Sequence, residues 1–203
     1  MEQKVCFLVC PIGATGSETR KKADLLLEQI ISPIVVPKGY EVIRADRVLR
    51  TDVITDTIIN YLNNAELVIA DLSVANPNVY YELGYRTALK KSVVQIAEDG
   101  SELPFDISTK RTFFYDMNDL QSVADFKNTI SEVIDNLEKE ETELKESTDK
   151  IGKEFAESFG TLLAAGVAVD IVNNPKNSRQ YVDMMKDLKK IKEIGDAAKR
   201  KGS

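Results

Sequence analysis

The chain has 203 residues, 43% of them hydrophobic, and a formal net charge of −6 at pH 7. This length accommodates one α/β domain with an appendage, and the acidic balance argues against a surface that binds nucleic acid polymers. The chain contains no histidine, which excludes within it every site that needs a histidine base or metal ligand. Acid–base or nucleophilic chemistry therefore falls to carboxylates, tyrosine, cysteine, lysine or serine.

The first residues lack the basic segment and cleavage site of a secretory signal, and the longest uncharged stretch is too short to span a bilayer. We therefore expect a cytoplasmic protein with no membrane partner. Cys6 and Cys10, four residues apart on one strand, would have Cα atoms about 13 Å apart. A disulfide bond cannot span that distance, so we expect two buried, reduced thiols.

The first 119 residues alternate strand-like and helix-like segments. The apolar run from Lys4 to Cys10 is typical of a strand buried on both faces of a parallel sheet. Ser17 then provides an N-cap for an amphipathic helix. In chain order we predict strand 4–10, helix 17–31, strand 40–43, helix 51–63, strand 66–70, helix 77–90, strand 92–97 and strand 111–115. This alternation predicts an open, mostly parallel five-stranded sheet with helices on both faces.

From residue 120 onward the pattern is helical, which divides the chain into an α/β domain at 1–119 and a helical region at 120–203. We predict helices over 123–150, 151–172 and 178–198, with three glycines weakening the second. An apolar stripe that runs from Phe155 to Ile171 packs either on the α/β domain or on another copy of the chain. Packing within the chain is the default, and a copy bound there would make this region an oligomerisation element.

Ligands of open α/β sheets bind at the carboxyl ends of the strands, near the point where the strand order reverses. The loop after the first strand contains Pro11, Ile12 and Gly13 and leads into a helix N-terminus, whose unpaired N–H groups favour an anion. This loop is neither a Walker A loop, whose lysine it lacks, nor the dinucleotide fingerprint. A ligand role and a purely structural role are therefore equally open for it.

Charged residues follow the next two predicted strands. Arg44 and Asp46 come after the second strand, and Asp71 comes directly after the apolar run that ends at Ala70. An acid at that position either caps a turn or faces a ligand at the edge of the sheet, and we favour the ligand role.

The helix after the third strand begins with Asn76 as N-cap and Pro77 as first residue. Within it, Asn78, Glu82 and Arg86 are spaced i, i+4, i+8 and share one face. Glu82 either points toward the crevice at the sheet edge or forms an ordinary surface ion pair with Arg86. The spacing alone leaves these two interpretations equal.

The stretch Ala70-Asp71-Leu72-Ser73, followed by Asn76 to Gly84, resembles the nucleoside 2-deoxyribosyltransferase-like proteins. It also resembles the related TIR-like domains of bacterial proteins, many of which act in defence against phage. The similarity extends to Phe7 to Gly13, to Arg44 to Asp46, and to Leu103 to Ile107 before Arg111. It covers about residues 4 to 116 and leaves the helical region uncovered.

The resemblance implies a flavodoxin-like fold and chemistry at an N-glycosidic bond. Glu82 would be the nucleophile, and Asp71 would bind the sugar or assist proton transfer to the leaving base. TIR-like NAD hydrolases likewise depend on one glutamate. The residues expected to bind the substrate are Pro11, Ile12, Gly13, Arg44, Asp46, Asn76, Asn78, Tyr81 and Arg86.

Three functions remain open from the sequence. The leading hypothesis is N-glycosidic cleavage of a small nucleotide or nucleoside, with NAD hydrolysis slightly ahead of deoxynucleoside transfer or deoxynucleotide hydrolysis. No cofactor or metal is expected, because NAD would be a substrate and the acids are not spaced for a metal. The second hypothesis is a nucleotide sensor that binds without cleaving, and the third is a scaffold assembled through its helices. We expect at least a dimer.

Overall fold

A computed structural model describes residues 3–47, 54–108 and 110–173, together with 183, 186 and 187. Five strands form one sheet in the order β2-β1-β3-β4-β5, and every neighbouring pair is parallel. This is the flavodoxin-like order, which confirms the predicted fold class. The strands are β1 Lys4–Val9, β2 Tyr40–Arg44, β3 Leu67–Asp71, β4 Val94–Glu98 and β5 Thr112–Tyr115.

The described helices connect these strands and cover the sheet. They are α1 Glu18–Leu25, α2 Ser32–Val35, α3 Ile54–Asn64, α4 Pro77–Ala88, α5 Phe105–Ser108 and α6 Leu120–Asn173. The sequence analysis did not predict the single turn α5. The start of the helix predicted at 51 lies outside the described residues, and its described part is α3.

The side chains of β1 alternate between two cores, as expected for a strand buried on both faces. Cys6 and Leu8 point into one core, which is completed by α1, α2 and the first turns of α6. Phe7 and Val9 point into the other core, which is completed by α3 and α4. Both cysteines are buried and free. The sheet is therefore a central layer between the two cores.

The helix predicted over 17–31 is the first part of a longer helical run that ends at Lys38. Ser17 caps it as predicted, since its side chain accepts a hydrogen bond from the backbone N–H of Arg20. A π-helical segment, Leu26–Ile31, lies shortly before Pro33, which has no N–H to continue an α-helical ladder. Gly39 ends the run with φ 86°, a left-handed conformation that suits glycine.

The helical region differs from the prediction. A single helix, α6, replaces the two helices predicted over 123–150 and 151–172, and Gly152 and Gly160 lie inside it. An isolated helical glycine costs only about 1 kcal/mol relative to alanine, which does not end a long helix. The predicted helix 178–198 lies mostly outside the described residues.

The chain divides into two compact units, Met1–Glu140 and Glu141–Ser203. Phe126, Ile130 and Ile134 of α6 belong to the core of the first unit, beside the sheet. A functional boundary between residues 119 and 120 stays a prediction. No helix in the described part of the chain is both long enough and apolar enough to cross a membrane.

Candidate active site

Charged side chains from three separate stretches surround the carboxyl end of β1. The Cys10 thiol marks this point. Its pKa is raised to about 12 by burial, the largest cause, together with the charges of Asp71, Asp46 and Glu82, against the lowering effect of Arg44. The charges of all four residues therefore shift the pKa of one buried thiol. The strand order reverses between β1 and β3, so this is the switch point where such sheets bind ligands.

A cleft of about 700 Å³ opens at the same edge, on the face covered by α1. Its volume lies in the range of small-molecule sites. Among the predicted site residues, Pro11 and Asp71 line this cleft, whereas Glu82 does not. The lining residues are Pro11, Glu18, Thr19, Lys21, Lys22, Ala23, Leu25, Leu26, Asp71, Ser73, Val74, Glu98, Tyr115, Met117 and Asn118.

Asp71, the last residue of β3, is only 6% exposed. Its Oδ1 accepts hydrogen bonds from the backbone N–H of Ser73 at 3.1 Å and from the Ser73 hydroxyl at 2.5 Å. Burial raises the pKa of Asp71 above its ordinary value, against the lowering effect of these two hydrogen bonds. The charge of Glu98 raises the same pKa and the charge of Lys22 lowers it. Asp71 is therefore an acid that holds its proton more strongly than an exposed aspartic acid.

Ser73 is the centre of a hydrogen-bond network beneath the cleft. Its Oγ accepts from the backbone N–H of Glu98 at 2.7 Å and lies 3.3 Å from the Tyr115 hydroxyl. The Ser101 hydroxyl donates to the Ser73 carbonyl at 3.2 Å. The Tyr115 ring packs against Phe126, with 5.1 Å between the ring centroids. Three strands and α6 thus fix the position of this serine.

Ser73 and Tyr115 were not predicted as site residues. The position of Ser73, two residues after an acid at a strand end, is typical of an Asx turn and could have indicated its contact with Asp71. No local signal points to Tyr115, which lies 42 residues further along the chain. Only the pairing of β4 with β5 places it there.

Glu82 lies on α4 and is half-buried. Burial raises its pKa from 4.5 to about 7. No hydrogen bond or ion pair of this carboxylate is found among the described residues. The ion pair with Arg86 that a surface role would require is absent from that part of the chain. Glu82 is therefore an acid near the switch point, with no compensating cation within the described part of the chain.

Arg86 is 2% exposed and faces the backbone of neighbouring elements. Its guanidinium donates to the carbonyl oxygens of Leu62 at 2.7 Å, Ala65 at 3.0 Å and Ser92 at 3.1 Å. These contacts join α4 to the end of α3 and to the segment before β4. They give Arg86 a structural function, and the structure does not bring its guanidinium to the cleft lining.

The start of α4 has the predicted cap. The Asn76 side chain accepts from the backbone N–H groups of Asn78 at 2.9 Å and Val79 at 3.3 Å. The Asn78 side chain is exposed, and Tyr81 is 62% exposed. The cap fixes the first turn of the helix that holds Glu82, while Asn78 and Tyr81 remain accessible to a ligand.

Arg44 and Asp46 belong to an ion-pair cluster with two residues of α1. The Arg44 side chain is fully buried and donates to Asp46 at 2.6 and 3.0 Å and to Asp24 at 2.5 Å. Arg20 also contacts Asp46, at 2.7 Å. A hydrogen bond from Arg44 lowers the pKa of Asp24. Burial raises the pKa of Asp46, but the hydrogen bonds and charge of Arg44, together with the charge of Arg20, lower it by more, so its pKa is also lowered. Arg44 Nη1 is buried without a partner among the described residues.

The loop after β1 packs closely on the first turn of α1. A Cβ atom at Gly13 would collide with Ser17 Oγ and lie 2.8 Å from Thr19 Cβ, so only glycine fits. Pro11 is buried, and Ile12 is 38% exposed. The close packing gives Gly13 a structural reason independent of any ligand.

The fold and the site define a class of protein: a flavodoxin-like α/β domain with carboxylates at the switch point of its sheet. No protein-family model matches the chain, and no curated protein matches it. Among solved structures, the chain is similar to a CMP N-glycosidase of Clostridium botulinum, with 16% identity and a TM-score of 0.44. The similarity covers 63% of this chain and 98% of that chain. It is too weak to assign an activity, so the function must be inferred from the residues of this chain.

Proposed function

We propose that this protein cleaves the N-glycosidic bond of a nucleotide, with Glu82 as the carboxylate that stabilises the reacting sugar. The observation that carries the proposal is a half-buried glutamate with a raised pKa and no cation partner among the described residues. Unpaired acids with raised pKa values at a switch point are typical of catalytic sites rather than of ion-pair networks. The resemblance of the Asp71 to Gly84 stretch to deoxyribosyltransferase-like and TIR-like proteins supports the same assignment.

The chemistry requires a negative charge on one side of the sugar. As the bond between the anomeric carbon and the base nitrogen breaks, the bonding electrons leave with the base and the sugar becomes oxocarbenium-like. The ionised Glu82 carboxylate would stabilise that positive charge or bond to the anomeric carbon. Water or a second base would then take the sugar and release the carboxylate. Only the ionised form of Glu82 can do this, and its pKa of about 7 leaves a large ionised fraction at neutral pH.

Within this class, the first candidate substrate is NAD, as the resemblance to TIR-like domains suggests. Nicotinamide leaves as a neutral molecule from a positively charged precursor, so its departure needs no proton. Glu82 alone would then be sufficient. The same resemblance supports a role in defence against phage.

The second candidate is a nucleoside or nucleoside monophosphate with a neutral base, and Asp71 favours it. Such a base leaves as an anion unless an acid protonates it. Asp71 is a buried carboxyl with a raised pKa on the wall of the cleft, which suits a general acid. If NAD is the substrate, this acid has no proton to give and would instead bind the ribose.

Chromatography of NAD, deoxynucleosides and deoxynucleoside monophosphates after incubation with the protein tests both candidates. We expect release of free base or nicotinamide by the wild type and a loss of at least about 1,000-fold in Glu82→Gln. The control is Glu41→Gln, which removes an exposed carboxylate on β2 and should leave the rate unchanged. An equal rate in Glu82→Gln contradicts the proposal. Ligand-dependent melting without any product would instead identify a sensor.

We also propose that the protein acts as at least a dimer, through its helical region. The resemblance to TIR-like domains, in which activity depends on assembly, supports this proposal. Light scattering across micromolar concentrations should give at least twice the chain mass. A monomer mass throughout that range contradicts it.

A further inference from the structure

While Asp71 is ionised, the hydrogen bonds around Ser73 have only one consistent direction. A serine hydroxyl has one hydrogen to donate and two lone pairs that accept. The backbone N–H of Glu98 can only donate, and it does so to Ser73 Oγ at 2.7 Å. The Asp71 carboxylate accepts from the same oxygen at 2.5 Å, which uses the single serine hydrogen. The Tyr115 hydroxyl, 3.3 Å away, must therefore donate to the remaining lone pair.

The two oxygens of Asp71 consequently differ. Oδ1 accepts from both the backbone N–H and the hydroxyl of Ser73. Among the described residues, no donor contacts Oδ2. A proton on Oδ1 would displace one of two good donors, whereas a proton on Oδ2 displaces none.

We propose that Ser73 and Tyr115 are positioning residues, which direct the proton of Asp71, a residue that lines the cleft, to Oδ2, the oxygen that no donor among the described residues contacts. The catalytic meaning of this arrangement rests on the proposed function, because only a leaving base needs that proton. The effect of Ser73 and Tyr115 on the ionisation of Asp71 is independent of the proposed function, because it is a property of the protein without substrate.

Other charged groups face Asp71 from each surrounding element, and they partly offset one another. Lys22 on α1 lowers its pKa and Glu98 on β4 raises it. These two side chains bind each other at 2.7 Å. The Cys10 thiol after β1 and the Tyr115 hydroxyl on β5 are both kept neutral, because burial raises their pKa values. The charge of Glu82 on α4 raises the pKa of the Cys10 thiol, as the charge of Asp71 does.

Burial and Ser73 are therefore the two dominant influences on Asp71, and they act in opposite directions. Burial favours the protonated carboxyl, and the two hydrogen bonds from Ser73 favour the ionised one. Ser73→Ala removes the hydroxyl bond and leaves the burial, so the pKa of Asp71 should rise. Tyr115→Phe leaves Ser73 in place but weakens it as a donor, which should produce a smaller rise.

Carbon-13 NMR titration of the aspartate carboxyl carbons measures this directly, with Asp71→Asn identifying the Asp71 signal. We expect the pKa of Asp71 to increase from wild type to Tyr115→Phe to Ser73→Ala, by about 1–2 units in Ser73→Ala. Ser73→Thr retains the hydroxyl and should restore the wild-type value. The control is Ser101→Ala, which removes a hydroxyl bonded only to the Ser73 carbonyl and should shift the pKa little. An unchanged or lowered pKa in both Ser73→Ala and Tyr115→Phe overturns the proposal.

A second measurement separates the positioning role from the proposed function. For a substrate whose base must be protonated, kcat/KM falls as pH rises through the pKa of Asp71. Ser73→Ala should move that fall to higher pH by the same interval as in the titration. If the wild type cleaves no nucleotide, the proposed function fails, while the NMR titration still decides the role of Ser73 and Tyr115. If cleavage occurs and the titration shows no shift, only the positioning role fails.

Discussion

Two groups of charged residues lie at the carboxyl edge of the sheet, and they differ in how their charges are compensated. In the first group, Arg44 is fully buried and is bound by the carboxylates of Asp46 and Asp24. In the second group, Asp71 and Glu82 are buried or half-buried acids with no cation within hydrogen-bond distance among the described residues. Charges of both groups shift the pKa of the Cys10 thiol, so both groups lie near it.

The pKa shifts show what this difference means. The paired acids, Asp24 and Asp46, have lowered pKa values and are held ionised by Arg44. The unpaired acids, Asp71 and Glu82, have raised pKa values and are held close to protonation. Paired charges stabilise the fold, whereas unpaired acids cost stability and retain a proton that chemistry can use. Loss of Arg44 should therefore harm the fold, and loss of Glu82 should harm only activity.

The largest effect on stability should come from Arg44→Met, which keeps most of the side-chain volume but leaves the partly buried Asp46 with Arg20 as its remaining cation. Breaking a buried ion pair by removing one partner typically costs roughly 3–5 kcal/mol. We expect a loss of that size in the free energy of unfolding, measured by urea denaturation at pH 7.

The matched control for that experiment is Arg47→Met. Arg47 is 51% exposed and lies 3.2 Å from Glu28 and 3.9 Å from Asp24. Exposed pairs of this kind are each worth less than about 1 kcal/mol. Equal losses in the two variants would contradict the assignment of Arg44 to the fold. A well-folded Arg44→Met protein with impaired ligand binding would instead support the predicted substrate-binding role of Arg44.

Glu82→Gln should have the opposite effect on stability, and the effect should depend on pH. The folded-state pKa of about 7 exceeds the ordinary value of 4.5, so the folded protein holds the proton more tightly. Ionising Glu82 therefore destabilises the fold as pH rises from 4.5 through 7, and the full cost is present above 7. The glutamine variant has no such cost, so we expect it to be on the order of 1–3 kcal/mol more stable than wild type at pH 8.

Urea denaturation at pH 4, 6 and 8 measures this difference, and the two proteins should converge at the lowest pH. Glu41→Gln changes an exposed residue, so its free energy of unfolding should match that of the wild type at all three pH values. A Glu82→Gln variant that is less stable than wild type at pH 8 would mean that the carboxylate has a cation partner after all.

Much of this architecture follows from local signals in the sequence. The apolar run at β1, the cap at Ser17 and the Asn76–Pro77 start of α4 are each determined by neighbouring residues, and each was predicted. Asp71 was identified because an acid directly after a buried strand must lie at the edge of the sheet. These features needed no knowledge of distant contacts.

The features that were missed depend on residues far apart in the chain. Arg44 is predicted as a ligand contact, and nothing near it in the sequence indicates that Asp24, 20 residues earlier, binds it. Arg86 shares a helix face with Glu82, as the spacing predicts, but no local pattern indicates that three backbone carbonyls from other segments bind its guanidinium. Tyr115 carries no local pattern at all. Spacing along one helix indicates which side chains are close, but tertiary contacts decide which of them are already satisfied.

The smallest predicted effect concerns how two exposed lysines influence the pKa of Asp71. Lys22 and Lys21 are equally exposed, at 61%, and line the same cleft. Lys22 binds Glu98 and lowers the pKa of Asp71, whereas Lys21 binds Glu18 on its own helix. Either alanine variant should change stability by less than about 1 kcal/mol, as is usual for exposed pairs.

Lys22→Ala should nevertheless raise the pKa of Asp71 by roughly a few tenths of a unit at low salt, and Lys21→Ala should not. Carboxyl titration by NMR at low salt and at 1 M salt measures this difference. Because salt screens an exposed lysine, the effect of Lys22 should shrink at the higher concentration. Equal shifts in both variants would mean that Asp71 senses the overall charge of α1 rather than Lys22, and that its ionisation is less locally controlled than the contacts of Ser73 indicate.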